Sequence, residues 1–342
     1  MKRVTGLLSG ALPCLLLSSP ITSAASGSDP GITTTTTTTA NSTNPIADGW
    51  YADPDGVKFG DTYWVYATVS VAFVDQGRFD AFSSRDIRNG PWEPHLGVFT
   101  AGEGSSWARH SFWAPCTVER GGTYYLYYTA NNPVANEEAE TGIGVASSKH
   151  PGGPFVDVVD GPIIGEQVNG GNPMDQQVFI DDDANSTTYL IWGGSRANIA
   201  PLADDMVSLG ASWPDGSSDP VVVDITPDEG YGEGPYMLKH AGRYYFMWSE
   251  GGYGTPDYRV AYAFSESIRG PFNRVGLFLA KDEAGEVADG PGHHSVVRDE
   301  EGAYWIVYHR RIIGDTVADH RVIAVDRLEF NEDGTIKPVV MT

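Results

Sequence analysis

The strongest constraint on the fold is a module that recurs five times along the chain. Its anchor is an apolar, aromatic run that follows a polar or glycine-bearing turn. It appears at Tyr63-Trp64-Val65-Tyr66, Tyr124-Tyr125-Leu126-Tyr127, Tyr189-Leu190-Ile191-Trp192, Tyr244-Tyr245-Phe246-Met247 and Tyr304-Trp305-Ile306-Val307-Tyr308. Successive anchors stand about sixty residues apart, a period longer than that of WD or kelch repeats. A second short strand follows the loop after most anchors, as in Val260-Ala261-Tyr262-Ala263-Phe264-Ser265. Three modules then carry a Gly-Pro-aromatic step, at Gly90-Pro91-Trp92, Gly153-Pro154-Phe155 and Gly270-Pro271-Phe272. Helical periodicity is nearly absent. Units of a few strands that cannot bury both faces alone are expected to close into a propeller. The sequence therefore predicts an all-β fold, a five-bladed β-propeller of four-stranded blades over residues 45–342. The third module, around Ile199-Ala200-Pro201-Leu202-Ala203, is the most degraded.

The first residues read differently. Lys2 and Arg3 precede an apolar stretch from Leu7 to Leu17, and Ser23-Ala24-Ala25 offers small residues for cleavage, so residues 1–25 are expected to be a secretion signal. Residues 26–44 contain an unbroken threonine tract, Thr33 to Thr39, and are expected to be a disordered linker. Asn41-Ser42-Thr43 and Asn185-Ser186-Thr187 fit the N-glycosylation pattern. The expectation is a secreted, extracellular protein, and a monomer. Of two cysteines, Cys14 lies in the signal, which leaves Cys116 without an internal partner, most simply a small buried apolar residue. The formal charge of -23 argues against nucleic acid or an anionic membrane as a partner and fits a neutral or cationic substrate.

When the modules are aligned on their anchors, acids fall at one place. Asp53, Asp175 and Glu233 each precede an anchor by ten to fourteen positions, and the matching places in the other modules hold Trp113-Ala114 and His293-His294. In a propeller the innermost strand of each blade starts at the central channel, so these residues converge on one pocket. Paired carboxylates beside an aromatic platform are the usual equipment of glycoside hydrolysis.

At these residues the chain resembles glycoside hydrolase family 43. The matching pieces are Tyr51-Ala52-Asp53-Pro54-Asp55, Phe112-Trp113-Ala114-Pro115, Met174-Asp175-Gln176-Gln177-Val178-Phe179, Gly232-Glu233-Gly234-Pro235 and Gly292-His293-His294-Ser295, in the family's order. The resemblance implies that Asp53 is the general base, Glu233 the general acid, and Asp175 the residue that orients Glu233 and raises its pKa. It implies inversion, with base and acid roughly 6.5–9.5 Å apart. It also implies a calcium ion or another cation near the axis. His293 is the candidate metal contact, with hydrogen bonding inside the pocket as the alternative. Trp113, His294 and Arg321 are the candidate substrate contacts, with a surface ion pair as the alternative for Arg321. His309 ends a last-blade strand. The Trp-Met-Asn-Asp-Pro opening and Glu-Cys pair of fructose-releasing propellers are absent, as are the Asp boxes of sialidases.

The expected partner is an arabinose- or xylose-containing oligo- or polysaccharide of the plant cell wall. The expected activity is an α-L-arabinofuranosidase, with β-xylosidase and endo-arabinanase as alternatives within the family. A non-catalytic carbohydrate-binding propeller is the alternative from another class. The segments Asn131 to Thr141 and Glu103 to His110 are the candidates for walling off the site.

Overall fold

The computed structural model describes residues 44–131, 141–281 and 287–342. The proposed signal and all but the last residue of the proposed linker lie outside this range. Four antiparallel meanders of four strands each follow one another. The first blade is β1 (Tyr51–Phe59), β2 (Thr62–Val69), β3 (Arg78–Ser84) and β4 (Glu93–Thr100). The second is β5 (Trp113–Arg120), β6 (Thr123–Asn131), β7 (Thr141–Ser148) and β8 (Val156–Asp157). The third is β9 (Gln177–Ile180), β10 (Thr188–Trp192), β11 (Asn198–Pro201) and β12 (Val223–Asp224), the shortest strands of any blade. The fourth is β13 (Glu233–His240), β14 (Arg243–Glu250), β15 (Arg259–Ser265) and β16 (Gly276–Leu279). Among the described residues the only helical element is a single 3-10 turn, Phe73–Asp75.

The fifth blade corrects the expectation of four strands. It holds β17 (Asp289–Arg298), β18 (Tyr304–Arg311) and β19 (Arg321–Leu328). Its open edge is covered by the first described residues instead. The Ile46 N–H donates to the Ile323 carbonyl at 3.0 Å, and the Asn44 side chain brackets Val325, accepting its N–H at 2.8 Å and donating to its carbonyl at 3.0 Å. One backbone bond and a side-chain clasp close the ring without forming a ladder.

Every anchor falls in the second strand of its blade. Those strands pack on both faces, so they read as continuous β-branched and aromatic runs rather than as alternation. The apolar core divides into five clusters, one at each junction between neighbouring blades. The junction of the first and second blades, for example, stacks Phe79, Phe99 and Phe112 against Tyr128. The Gly-Pro-aromatic steps turn the chain between third and fourth strands. At Gly153 a Cβ would lie 2.5 Å from the Val98 carbonyl oxygen, so glycine is required there. Phe155 and Phe272 then plug into the adjacent junctions. Cys116 is buried, and Asn185 is exposed in the turn between β9 and β10.

Candidate active site

The innermost strands β1, β5, β13 and β17, and the residues entering β9, share a backbone irregularity. Asp53 (φ 48°), Ala114 (47°), Asp175 (56°), Gly234 (61°) and His293 (43°) all adopt the left-handed conformation. In four blades the register of the inner strand slips at this point. Such a bulge re-aims a side chain, here toward the axis. A left-handed residue other than glycine costs roughly 1–2 kcal/mol, so something must hold it. The backbone N–H of each is caught by a side chain of the preceding blade. Ala114 donates to Thr68 Oγ1 (2.9 Å), Asp175 to Thr129 Oγ1 (3.0 Å), His293 to Ser249 Oγ (2.9 Å) and Asp53 to His309 Nδ1 (3.2 Å). For Gly234 the acceptor is Asp175 itself, through Oδ2 at 3.1 Å.

These bulges set a register that anchor spacing does not resolve. Asp53, Ala114, Asp175, Gly234 and His293 are equivalent, and Glu233 stands one residue earlier, with Trp113 and Met174. His294 stands one residue later and turns away. It is 3% exposed, its Nε2 lies 3.2 Å from Met247 Sδ, and its ring packs against Tyr236 and Phe278. Burial, with His293 adding to it, pushes its pKa down to about 3. His294 is thus placed in the packing between blades, apart from the other candidate substrate contacts, because strand alternation reverses the direction of the residue after the bulge.

The remaining candidates meet in one pocket of about 210 Å³, lined by Asp53, Phe73, Trp113, Met174, Asp175, Glu233, Tyr253, His293 and Arg321. The Trp113 indole N–H donates to Gln76 Oε1, and the ring meets Phe73 edge-on at 5.1 Å. Directly after the segment Glu103 to His110, the Ser111 N–H donates to the Phe73 carbonyl and ties the chain to the loop that carries Phe73. Residues 132–140 of the other proposed wall lie outside the described range. Phe73, Met174, Tyr253, Tyr258 and His309 were not singled out as site residues from sequence. Only Met174, next to Asp175 in a quoted motif, carried any signal.

The acids are in unlike surroundings. Asp53 is buried, which alone would raise its pKa, but Arg321 Nη1 lies 3.1 Å away, with His293 Nδ1 at 3.4 Å and His309 Nδ1 at 3.3 Å. Arg321 foremost, then His293, hold the carboxyl well below the usual range, so it is ionised. Arg321 is buried too. Its Nε donates to Ser70 Oγ, and its guanidinium lies 4.8 Å from the Tyr253 ring centroid. Burial pushes Asp175 up to about 7, with the charges of Glu233 and Asp53 adding and His293 opposing. Burial pushes His309 down to about 4, so it is neutral near pH 7 and its Nδ1 is free to accept the Asp53 N–H. For His293 burial works downward, but Asp53, Asp175 and Glu233 outweigh it and raise its pKa. Glu233 Oε1 accepts a hydrogen bond from the Tyr258 hydroxyl at 2.6 Å. Asp175 grips the peptide next to Glu233 through the Gly234 N–H, which orients the acid.

Asp175, Glu233 and His293 also place one potential metal-ligand atom each within 4.8 Å of one another. That set could hold a cation. Calcium, however, takes six to eight oxygens, and the cluster offers two carboxylates and an imidazole, with Asp175 and Glu233 already engaged as acceptors. The cavity beneath, along the axis, measures about 20 Å³, room for roughly one water. The donors fit calcium poorly.

An ionised carboxylate and an oriented carboxyl lining one pocket can activate a water and protonate a leaving oxygen. Comparison with known proteins agrees with that chemistry. A family model described as glycosyl hydrolases family 43 matches residues 42–336. The chain is 37% identical to a β-D-galactofuranosidase (xynD) of Aspergillus niger over 310 residues, covering 87% of this chain and 85% of that protein. Its fold resembles the crystal structure of a thermostable family-43 glycoside hydrolase, with a TM-score of 0.73 and 27% identity over 87% of this chain and 96% of that one. An α-L-arabinofuranosidase from Clostridium thermocellum aligns with a TM-score of 0.66 and 28% identity, covering 85% of this chain and 94% of the other. With the propeller, the acids and a match over nearly its whole length, this chain belongs to glycosyl hydrolase family 43 and is a glycosidase.

Proposed function

We propose that the enzyme removes single furanosyl residues from the non-reducing ends of plant cell-wall oligo- and polysaccharides, α-L-arabinofuranose first among them, with inversion. The observation that carries this reading is the pocket itself. It joins Asp53, Asp175 and Glu233 in about 210 Å³, below the roughly 300–1,000 Å³ of pockets for drug-sized ligands. That is room for one sugar ring, which favours exo action over an endo-arabinanase groove. Phe73, Trp113 and Tyr253 supply apolar faces for the ring, and Arg321 supplies donors for hydroxyls.

Asp53, ionised, takes a proton from a water, whose oxygen attacks the anomeric carbon. The bond to the leaving oxygen breaks as Glu233 donates its proton to that oxygen. Asp175 holds the Gly234 peptide and so the aim of Glu233. Proton transfers of this kind contribute roughly 10²–10⁴-fold each.

A second reading, release of β-D-galactofuranose, is favoured by the 37% identity to a galactofuranosidase. The two sugars share the arrangement of substituents around the five-membered ring and differ in the chain on C4. Nitrophenyl α-L-arabinofuranoside, β-D-galactofuranoside and β-D-xyloside, assayed side by side with wild type and Glu233→Gln, separate the readings. Preference for the xyloside overturns the furanose proposal. NMR detection of a retained anomer overturns Asp53 as base. Residues 1–25 and the threonine tract support the further proposal that the enzyme acts outside the cell, which N-terminal sequencing of protein recovered from culture medium tests.

A further inference from the structure

We propose that Tyr258 is a positioning residue for the acid: it keeps Glu233 Oε1 permanently an acceptor, so that the transferable proton rides on Oε2 and faces the leaving oxygen. This rests on the reading of Glu233 as general acid.

One oxygen of Glu233 is fixed by a hydrogen bond: the Tyr258 hydroxyl donates to Glu233 Oε1 at 2.6 Å. That length falls within the roughly 2.5–3.0 Å of O–H···O hydrogen bonds. Ser249, fully buried, already accepts the His293 N–H on its Oγ at 2.9 Å. A hydrogen on Oε1 would meet the phenol hydrogen head-on, so protonated Glu233 must carry its hydrogen on the other oxygen. Burial, then the Glu233 charge, pushes the phenol well above its usual range, so Tyr258 does not lose the proton it donates.

The phenol packs against the paired residues Gly292 and His309 of β17 and β18. Its ring lies parallel to the His309 imidazole, 5.5 Å between centroids and 2° between planes. At Gly292 a Cβ would stand 2.2 Å from Tyr258 Cε1. Gly292 of the Gly292-His293-His294 motif therefore leaves room for the ring that aims the acid. His309 binds the Asp53 backbone with Nδ1 while its ring supports Tyr258, so one imidazole braces the mounts of both base and acid.

The test is Tyr258→Phe in the full chain, assayed with a nitrophenyl arabinofuranoside, which leaves without much help, and with arabino-oligosaccharide, whose leaving alkoxide needs the proton. The expected result is a fall of about ten-fold or more in kcat on the oligosaccharide, within the roughly 10²–10⁴-fold that a general acid supplies. On the nitrophenyl substrate kcat changes by no more than about two-fold, and KM on both stays near wild type. The ratio of the two rates comes from one sample, so any loss of folded protein cancels. An equal loss on both substrates, or none on either, overturns the proposal. Glu233→Gln is the control. If it too lacks leaving-group selectivity, the assignment of the acid has failed. If it is selective and Tyr258→Phe is not, only the role of Tyr258 has failed.

Discussion

Asp53 and Asp55 sit on the same strand, separated by one proline, and live in opposite electrostatic worlds. Asp53 opens on the sugar-sized pocket, where Arg321 and His293 hold it ionised. Asp55 faces the other end of the axis, a cavity of about 290 Å³ that it lines with Cys116, Gln177 and Tyr236. There its Oδ2 accepts the Thr117 N–H at 2.6 Å, yet burial outweighs that bond and pushes the carboxyl up to about 7. The strand slips register between Ala52 and Asp55, and this separates the two. A carboxylate becomes a base fit for an acidic or neutral medium when a cation from another blade reaches it, and β19 delivers Arg321 to Asp53 and not to Asp55.

The largest effect should come from exchanging the two acids for amides. Asp53→Asn should lose roughly 10²–10⁴-fold in kcat/KM, the usual worth of a positioned base, while Asp55→Asn should remain within about two-fold of wild type on the same arabinofuranoside. Comparable losses in both variants would end the contrast.

Next in size is Arg321→Met. Removing the main charge that depresses Asp53 lets burial raise it. A base must be ionised, so the acidic limb of the kcat/KM profile should move to higher pH in the variant. An unmoved limb alongside a lower rate would mean that Arg321 serves only the sugar.

A smaller effect is expected from Asp55 on stability. Its folded pKa of about 7 lies above that of the unfolded chain, so its neutral form contributes stability that is complete below the ordinary carboxylate range and is lost as pH rises through 7. Asp55→Asn lacks this slope. The Tm of the variant relative to wild type should therefore rise between pH 4 and 8, on the scale of roughly 2–4 °C. A flat difference would place Asp55 in ordinary solvent. The smallest effect concerns the pocket end alone. Chelator should change kcat by less than about two-fold, given how poorly the donors suit calcium. Loss restored by added calcium would make Asp175, Glu233 and His293 ligands.

The propeller was legible in the sequence because the second strand of every blade is packed on both faces, which forces a dense aromatic run each time. The convergence of Asp53, Asp175 and Glu233 on one pocket was legible because those acids keep nearly the same distance from the runs. What escaped depended on single-residue geometry. Anchor spacing varies with turn length, as at Asp181 to Thr188, so it could not tell that Glu233 precedes the bulge or that His294 follows it and points away. Tyr258 reaches Glu233 across 25 residues and His309 reaches Asp53 across 256, contacts that leave no local pattern. The missing fourth strand of the last blade was hidden for a related reason. Its place is taken by Asn44 and Ile46, from the opposite end of the domain and from beside a tract that reads as linker.

The five left-handed positions around the axis behave as mounts. Each is secured by its own N–H, gripped from the preceding blade; four of the grips come from side chains outside the ring of mounts, and the fifth, on Gly234, comes from Asp175, itself a mount. Ala114 and Gly234 occupy two of them without any group able to titrate, and at Gly234 a Cβ would find His293 and Ser249 no nearer than 3.4 Å. At Asp53, Ala114 and His293 the scaffold thus separates the machinery of holding from the identity of what is held, whereas Asp175 is both held and holder, so a substitution there would also release the mount of the next blade.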